Sequence, residues 1–205
     1  MIDHTALRRQ ILKTRNALPK AELDRLSAEI SARFLNAFRP AFSASNPLHI
    51  ALYRAVPGEL DLGSIETELR NSGAHLYFPR VKDRESSVME FVRMNPDDPN
   101  ADWVVGPYGI DEPHSELPAV APMLIDVVLV PGVAFGPNGE RIGRGAGYFD
   151  RFIPSAGNAF RAALAFDFQL VDRLDQNAWD QPVHWILTEK REIGRTALDK
   201  FINPP

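Results

Sequence analysis

The sequence predicts an α/β protein: an open, mostly parallel sheet flanked by helices on both faces, with two N-terminal helices. Three observations point there. An apolar run at His49–Tyr53, a helix-spaced stretch at Asp61–Ser72 and a second apolar run at His75–Phe78 fall within about 30 residues, the size of a βαβ unit with parallel strands. Ile125–Val130, with three valines and a leucine, has the composition of a strand buried on both faces. Two helical patterns precede all of these runs.

Taken in order, residues 4–17 bring Leu7 and Ile11, with Leu18 just beyond, near one stripe and predict a short helix. Pro19 ends it and opens a second helix from Lys20 to about Phe38. In that helix Leu23, Leu26, Ile30, Phe34 and Phe38 recur at steps of three and four. Arg39–Pro47 is a connection. After the first strand, Pro57-Gly58 predicts a turn, Asp61 a helix N-cap and Gly73 a C-terminal stop. Ser87–Met94 alternates as an edge strand, and Asn95–Asp102 is a polar loop. The strand at Ile125–Val130 runs into Pro131-Gly132, a glycine-rich loop from Gly136 to Gly147, and a short helix near Tyr148–Ile153. Arg161–Phe166 and Val183–Leu187 complete the strands. Residues 1–205 form one domain, and the loops after Tyr53, Val130 and Phe166 share the rim where open α/β sheets bind ligands.

Composition narrows the function. A chain of 205 residues, 44% apolar and 24% charged, supports a packed core. The absence of cysteine excludes a disulfide scaffold, a thiolate zinc site and a cysteine nucleophile. A net charge of −4 gives no cationic footprint for a nucleic-acid duplex. The cations are 5 Lys and 18 Arg, an excess that suits bidentate phosphate contacts and that base-composition bias also produces. Met1–Arg9 lacks the apolar stretch of a signal peptide, and Ala119–Phe135 is broken by Pro122, Asp126 and Pro131. The expectation is a cytoplasmic protein without a membrane or nucleic-acid partner.

The segment Gly139–Asp150 is the most informative. Gly143, Gly145 and Gly147 at alternate positions let successive N–H groups turn into one concavity, and the helix start after them adds further donors. Arg141 and Arg144 bring charge to that concavity, which together describes a polyphosphate cradle, and Asp150 is placed to hold a magnesium ion on the phosphates. The segment is neither a Walker loop nor a dinucleotide fingerprint. The plainer alternative is an ordinary loop in which Asp150 caps its helix. On the first helix His4, Arg8 and Arg15 share one side, a stripe about 16 Å long that suits a triphosphate; a solvated face is the alternative. Glu59 follows the first strand and can accept from the amide and amine edge of a pterin-like ring, or serve only as a helix-start carboxylate. His49, His75, His114 and His184 show no ligand spacing, and Tyr53, Tyr108, Tyr148 and Phe149 offer stacking walls or ordinary packing.

As an ordered set, these segments resemble the 5-formyltetrahydrofolate cyclo-ligase family. The likeness runs from Leu7-Arg8 and Arg15 through Glu59, Tyr108–Pro113, Asp126–Phe135 and Gly139–Asp150 to Ala165-Phe166, Asp180–Val183 and Thr188-Glu189. Pro131–Asp150 is its specific part. The resemblance implies an ATP- and magnesium-dependent ligase that converts 5-formyltetrahydrofolate into 5,10-methenyltetrahydrofolate. It implies that His4, Arg8, Arg15, Arg141, Gly143, Arg144, Gly145, Ala146, Gly147, Tyr148 and Phe149 hold ATP. Arg54, Glu59 and Tyr148 would contact the folate, Asp150 and Asp180 the metal, and Arg144, Tyr148 and Asp150 would be the catalytic set. A reduced folate is the implied partner, and the protein would be a monomer or a weak dimer. Three positions depart from the usual family pattern: His4 stands for a lysine, Phe149 for a tyrosine and His184 for an acidic residue. They keep open a homologue that binds folate or nucleotide with reduced turnover. A third alternative is an unrelated α/β enzyme handling sugar phosphates or coenzyme A.

Overall fold

The apolar stripes become helices. A computed structural model describes residues 3–42, 46–95, 103–177 and 179–203. In it helix α1 spans His4–Ala17 and α2 spans Lys20–Phe38. Asp3 starts α1: its Oδ1 accepts from the N–H groups of Thr5 and Ala6 at 2.8 and 3.1 Å, which satisfies two donors that a helix start leaves orphaned. On α2 the residues at the predicted steps, Leu26, Ile30, Phe34 and Phe38, are buried.

The βαβ unit forms as expected. Strands β1 (His49–Ala51) and β2 (His75–Asp83) pair in parallel and are joined through α3 (Gly63–Asn71). Asp61 acts just outside the cap position, with its Oδ1 accepting from Gly63 N–H at 3.0 Å while Leu62 holds the cap itself. β2 runs past the predicted Phe78 because it pairs antiparallel with the edge strand β3 (Val88–Arg93) along its outer half. Residues 43–45 of the connection after α2 and residues 96–102 of the polar loop lie outside the described residues.

The next segment was not expected. Strands β4 (Trp103–Val105) and β5 (Asp111–Pro113) form an antiparallel hairpin apart from the main sheet. Its carboxylate Glu112 reaches β2, accepting from Val81 N–H at 3.1 Å, and its burial raises the Glu112 pKa. After β6 (Val127–Leu129), strands β7 (Ala134–Phe135) and β8 (Arg141–Ile142) pair with each other, so part of the glycine-rich loop is itself a hairpin. Helix α4 (Tyr148–Phe152) follows, then β9 (Phe160–Leu164), β10 (Trp185–Leu187), β11 (Glu192–Ile193) and an unforeseen C-terminal helix, α5 (Arg195–Ile202).

The main sheet has the order β11-β10-β9-β6-β1-β2-β3. The five inner strands are parallel and the two edges antiparallel. Helices α2, α3 and α5 cover one face around Phe34, Phe38 and Trp185; α4 and the turn after it cover the other around Phe91, Phe152 and Val128. Helix α1 packs separately, with Ile11 against Val133, Ala134, Ile142 and Leu174. Chain order reverses between β1 and β6, the switch point at which doubly wound sheets open a crevice at their carboxyl ends. Among the described residues, no helix is long and apolar enough to cross a membrane.

Candidate functional site

The loops leaving β1 and β6 meet over that switch point. Tyr53, Glu59 and Leu60 come from the first loop and Pro131 and Gly132 from the second, and Arg15 of α1 reaches in between them. The cavity left is about 10 Å³, enough for roughly one water molecule. Arg15 is 5% exposed, and its Nε has no hydrogen-bond partner among the described residues. Burial lowers its pKa, against the opposing pull of Glu59. The Pro57-Gly58 turn admits this side chain closely. Gly58 sits at φ +84°, and a Cβ there would stand 3.2 Å from Arg15 Nε, so the position favours glycine twice over.

Glu59 is the acceptor at the centre. Its Oε2 accepts from Val56 N–H at 3.1 Å and its Oε1 from Arg144 Nε at 2.9 Å; Arg15 Nη1 lies 3.9 Å from the same Oε1. The sequence places Arg144 among the ATP-binding and catalytic residues, with no link to Glu59. The structure instead places it across the gap between the glycine-rich loop and Glu59.

The loop itself is hooked to α1, since Arg8 Nε donates to Gly143 O at 3.0 Å. Among the described residues, the N–H groups of Arg144, Gly145, Ala146 and Gly147 have no acceptor. Gly147 takes φ +75° and leads into α4. That helix has only five residues, so the dipole contribution expected of it is small. Arg141 differs from expectation more sharply. Its side chain is 3% exposed and turned inward, with Nη2 donating to Asp150 Oδ1 at 2.6 Å and Nη1 to Pro131 O at 3.2 Å. It braces the loop from beneath and does not offer its guanidinium to the concavity.

The acidic pair is committed as well. Asp150 Oδ1 also accepts from Gln181 N–H at 3.3 Å, and Asp180 Oδ2 accepts from the N–H and Nδ2 of Asn177. Among the described residues no group of three His, Cys, Asp or Glu side chains is arranged to hold a metal.

Just after the glycine-rich loop, Tyr148 shares a 3.0 Å hydroxyl contact with Tyr108, their rings edge-on and 6.1 Å apart. Partial burial and this bond push the Tyr148 pKa up to about 12, so it is a protonated donor at neutral pH. The turn of the hairpin thus brings Tyr108, one of the expected stacking tyrosines, against Tyr148. Arg54 stacks on Trp103 of the hairpin (3.7 Å) and pairs with Glu66 at 3.1 Å, and it has no bond to Glu59. Phe149 packs inward, 6.3 Å from the Phe91 ring. The His4 side chain makes no hydrogen bond or ion pair among the described residues. His184 takes bonds from Arg161, and burial beside that cation depresses its pKa to about 4.

The description of the 5-formyltetrahydrofolate cyclo-ligase family matches residues 1–189. The chain belongs to that family. It is therefore a ligase of folate metabolism. Cyclo-ligase relatives include the 5-formyltetrahydrofolate cyclo-ligase of Escherichia coli K12, 26% identical over 88% of this chain and 97% of that protein. The Saccharomyces cerevisiae enzyme of the same name is 34% identical over 75% of this chain and 76% of its own length. The cyclo-ligase fold is also that of the 5,10-methenyltetrahydrofolate synthetase of Aquifex aeolicus, at a TM-score of 0.78 and 32% identity over 93% of this chain and 91% of that one.

Proposed function

We propose that this cyclo-ligase uses magnesium-ATP to convert 5-formyltetrahydrofolate into 5,10-methenyltetrahydrofolate, releasing ADP and phosphate. The observation that carries the reading is the 2.9 Å contact between Arg144 Nε and Glu59 Oε1. A cation suited to a terminal phosphate and a carboxylate suited to a pterin edge meet at the switch point, so ligands of both kinds would lie within reach of each other.

The N–H groups of residues 144–147 that lack acceptors, the Arg8 guanidinium and the unpartnered Nε of Arg15 suit the anionic nucleotide. Tyr148, protonated and linked to Tyr108, would line the folate side. The formyl oxygen attacks the γ-phosphorus, an O–P bond forms, and the bond to the ADP oxygen breaks. The N10 amine then adds to the activated carbon and loses its proton, and phosphate departs with the original formyl oxygen. The protein supplies position and positive charge, the usual needs of phosphoryl transfer, and no side chain is consumed. For magnesium, the donors fit an ion carried in on phosphate oxygens, a mode that uses one or two carboxylates and several waters. Asp150 and Asp180 would each keep one oxygen for it, and the ion would neutralise phosphate charge.

The test is the absorbance of the methenyl product. Product should grow only with ATP and magnesium, with one ADP per ring closed. Growth without nucleotide, or binding of both ligands with no product, would overturn the reading.

A further inference from the structure

A half-exposed cation and a nearly buried carboxylate of this site neutralise each other. Arg144 is 50% exposed at its side chain and Glu59 13%. Glu59 Oε2 is held by the backbone of its own turn, at Val56 N–H. Arg15 is buried in the crevice, 3.9 Å from Glu59 Oε1. Of the groups on Glu59, Arg144 is therefore the one free to leave. It sits between Gly143 and Gly145, and a Cβ built on Gly145 meets nothing within 4 Å, so its loop has open space on that side. The chemistry of the contact is specific. A guanidinium presents planar, conjugated N–H donors to a carboxylate, and so does the amide-amine edge of a 2-aminopyrimidinone ring.

Building on the function proposed above, we infer that Arg144 occupies Glu59 in place of the folate heterocycle, and that nucleotide phosphate draws it away and opens the folate subsite. Two ligands then share one exchange. ATP takes Arg144 and frees Glu59 for the ring; the ring takes Glu59 and frees Arg144 for phosphate. By linkage each must tighten the other by the same factor. The sign is diagnostic. Two anions bound side by side repel, so without the exchange each would weaken the other.

The experiment is calorimetric titration of 5-formyltetrahydrofolate with and without a saturating non-hydrolysable ATP analogue, which prevents turnover. In the unaltered protein the analogue should tighten folate about 5- to 50-fold, within the usual range of coupling between sites. Arg144→Ala should bind folate at least as tightly as the unaltered protein when no nucleotide is present, and the analogue's effect should fall below about twofold. Arg144→Lys should recover part of that effect. A coupling factor of one or less in the unaltered protein overturns the inference. So does an Arg144→Ala protein that keeps the full effect, or one whose nucleotide-free folate affinity drops severalfold. Turnover on the same preparation separates the two claims. Product formation with no coupling sinks the exchange and leaves the function standing; failure to bind either ligand takes both down.

Discussion

Glu59 joins the chemistry of the site most tightly, and its removal has a calculable reach. Glu59→Gln keeps the shape and one acceptor but removes the charge. A hydrogen bond to a charged partner is worth about 1.5–3 kcal/mol, so the folate KM should rise roughly 10- to 100-fold. The ATP KM should move by less than about threefold, because Arg144 would remain available to phosphate. Steady-state kinetics with each substrate varied would check this split. His184 gives a prediction of a different kind. Its folded pKa is about 4, below the ordinary value of about 6.5. Folding therefore favours the neutral ring, and no penalty applies above pH 6.5. As pH falls from there towards 4, the unfolded chain takes up a proton that the folded chain refuses, and stability drops. With allowance for solvent screening the loss is on the order of 1 kcal/mol between pH 7.5 and 5. Thermal unfolding across that range should show it, and His184→Gln, which keeps an acceptor for Arg161, should flatten that part of the profile. Of these two residues, Glu59 was legible in the sequence because it follows a strand in a turn. The depressed pKa of His184 was not, since it depends first on the burial the fold gives the ring and then on Arg161 of β9 lying beside it.

Elements carry the same division. α2 has the bounds read from its stripe because nothing but its own periodicity decides them: each apolar step meets the sheet. The hairpins β4–β5 and β7–β8 were missed for a physical reason. Asp111, Glu112 and Pro113 are poor strand formers, and that strand forms because Glu112 docks on Val81. Arg141 looked like a phosphate cation beside three glycines, but it lies in β8, and pairing with β7 turns its side chain under the loop, where Asp150 meets it. Helix α1 links fold to site. It is held by Ile11, 6% exposed among Val133, Ala134, Ile142 and Leu174, and it carries Arg8 and Arg15 to the loop. Ile11→Ala should cost about 2–4 kcal/mol and should weaken ATP binding as well, because both arginines ride on the helix it docks. Denaturant unfolding and nucleotide titration on the folded variant would measure the two effects. A loss of stability with ATP affinity intact would mean that α1 positions neither arginine.

At the scale of the whole molecule, the parallel order of the sheet makes the site, because the reversal between β1 and β6 brings two loops far apart in sequence together. Arg144 and Glu59 are 85 residues apart, which is why the sequence supplied both residues without their contact. The same geometry fixes how the protein should respond to metal. Asp150 is bound to Arg141 and Gln181, Asp180 to Asn177, and no three-ligand cage exists among the described residues. Among the described residues, a divalent ion then has no preformed three-ligand home before nucleotide arrives. Chelator alone should leave the melting temperature of the ligand-free protein unchanged within error. Magnesium-ATP at 100 times its dissociation constant should stabilise the fold by about 2.7 kcal/mol, a rise of roughly 5–11 °C for a chain of this size. Chelator added then should remove most of that rise, because in the proposed function the ion binds with the nucleotide and not as part of the fold. A fall in melting temperature on chelating the ligand-free protein would instead reveal a resident metal, and would reassign Asp150 from bracing Arg141 to holding it.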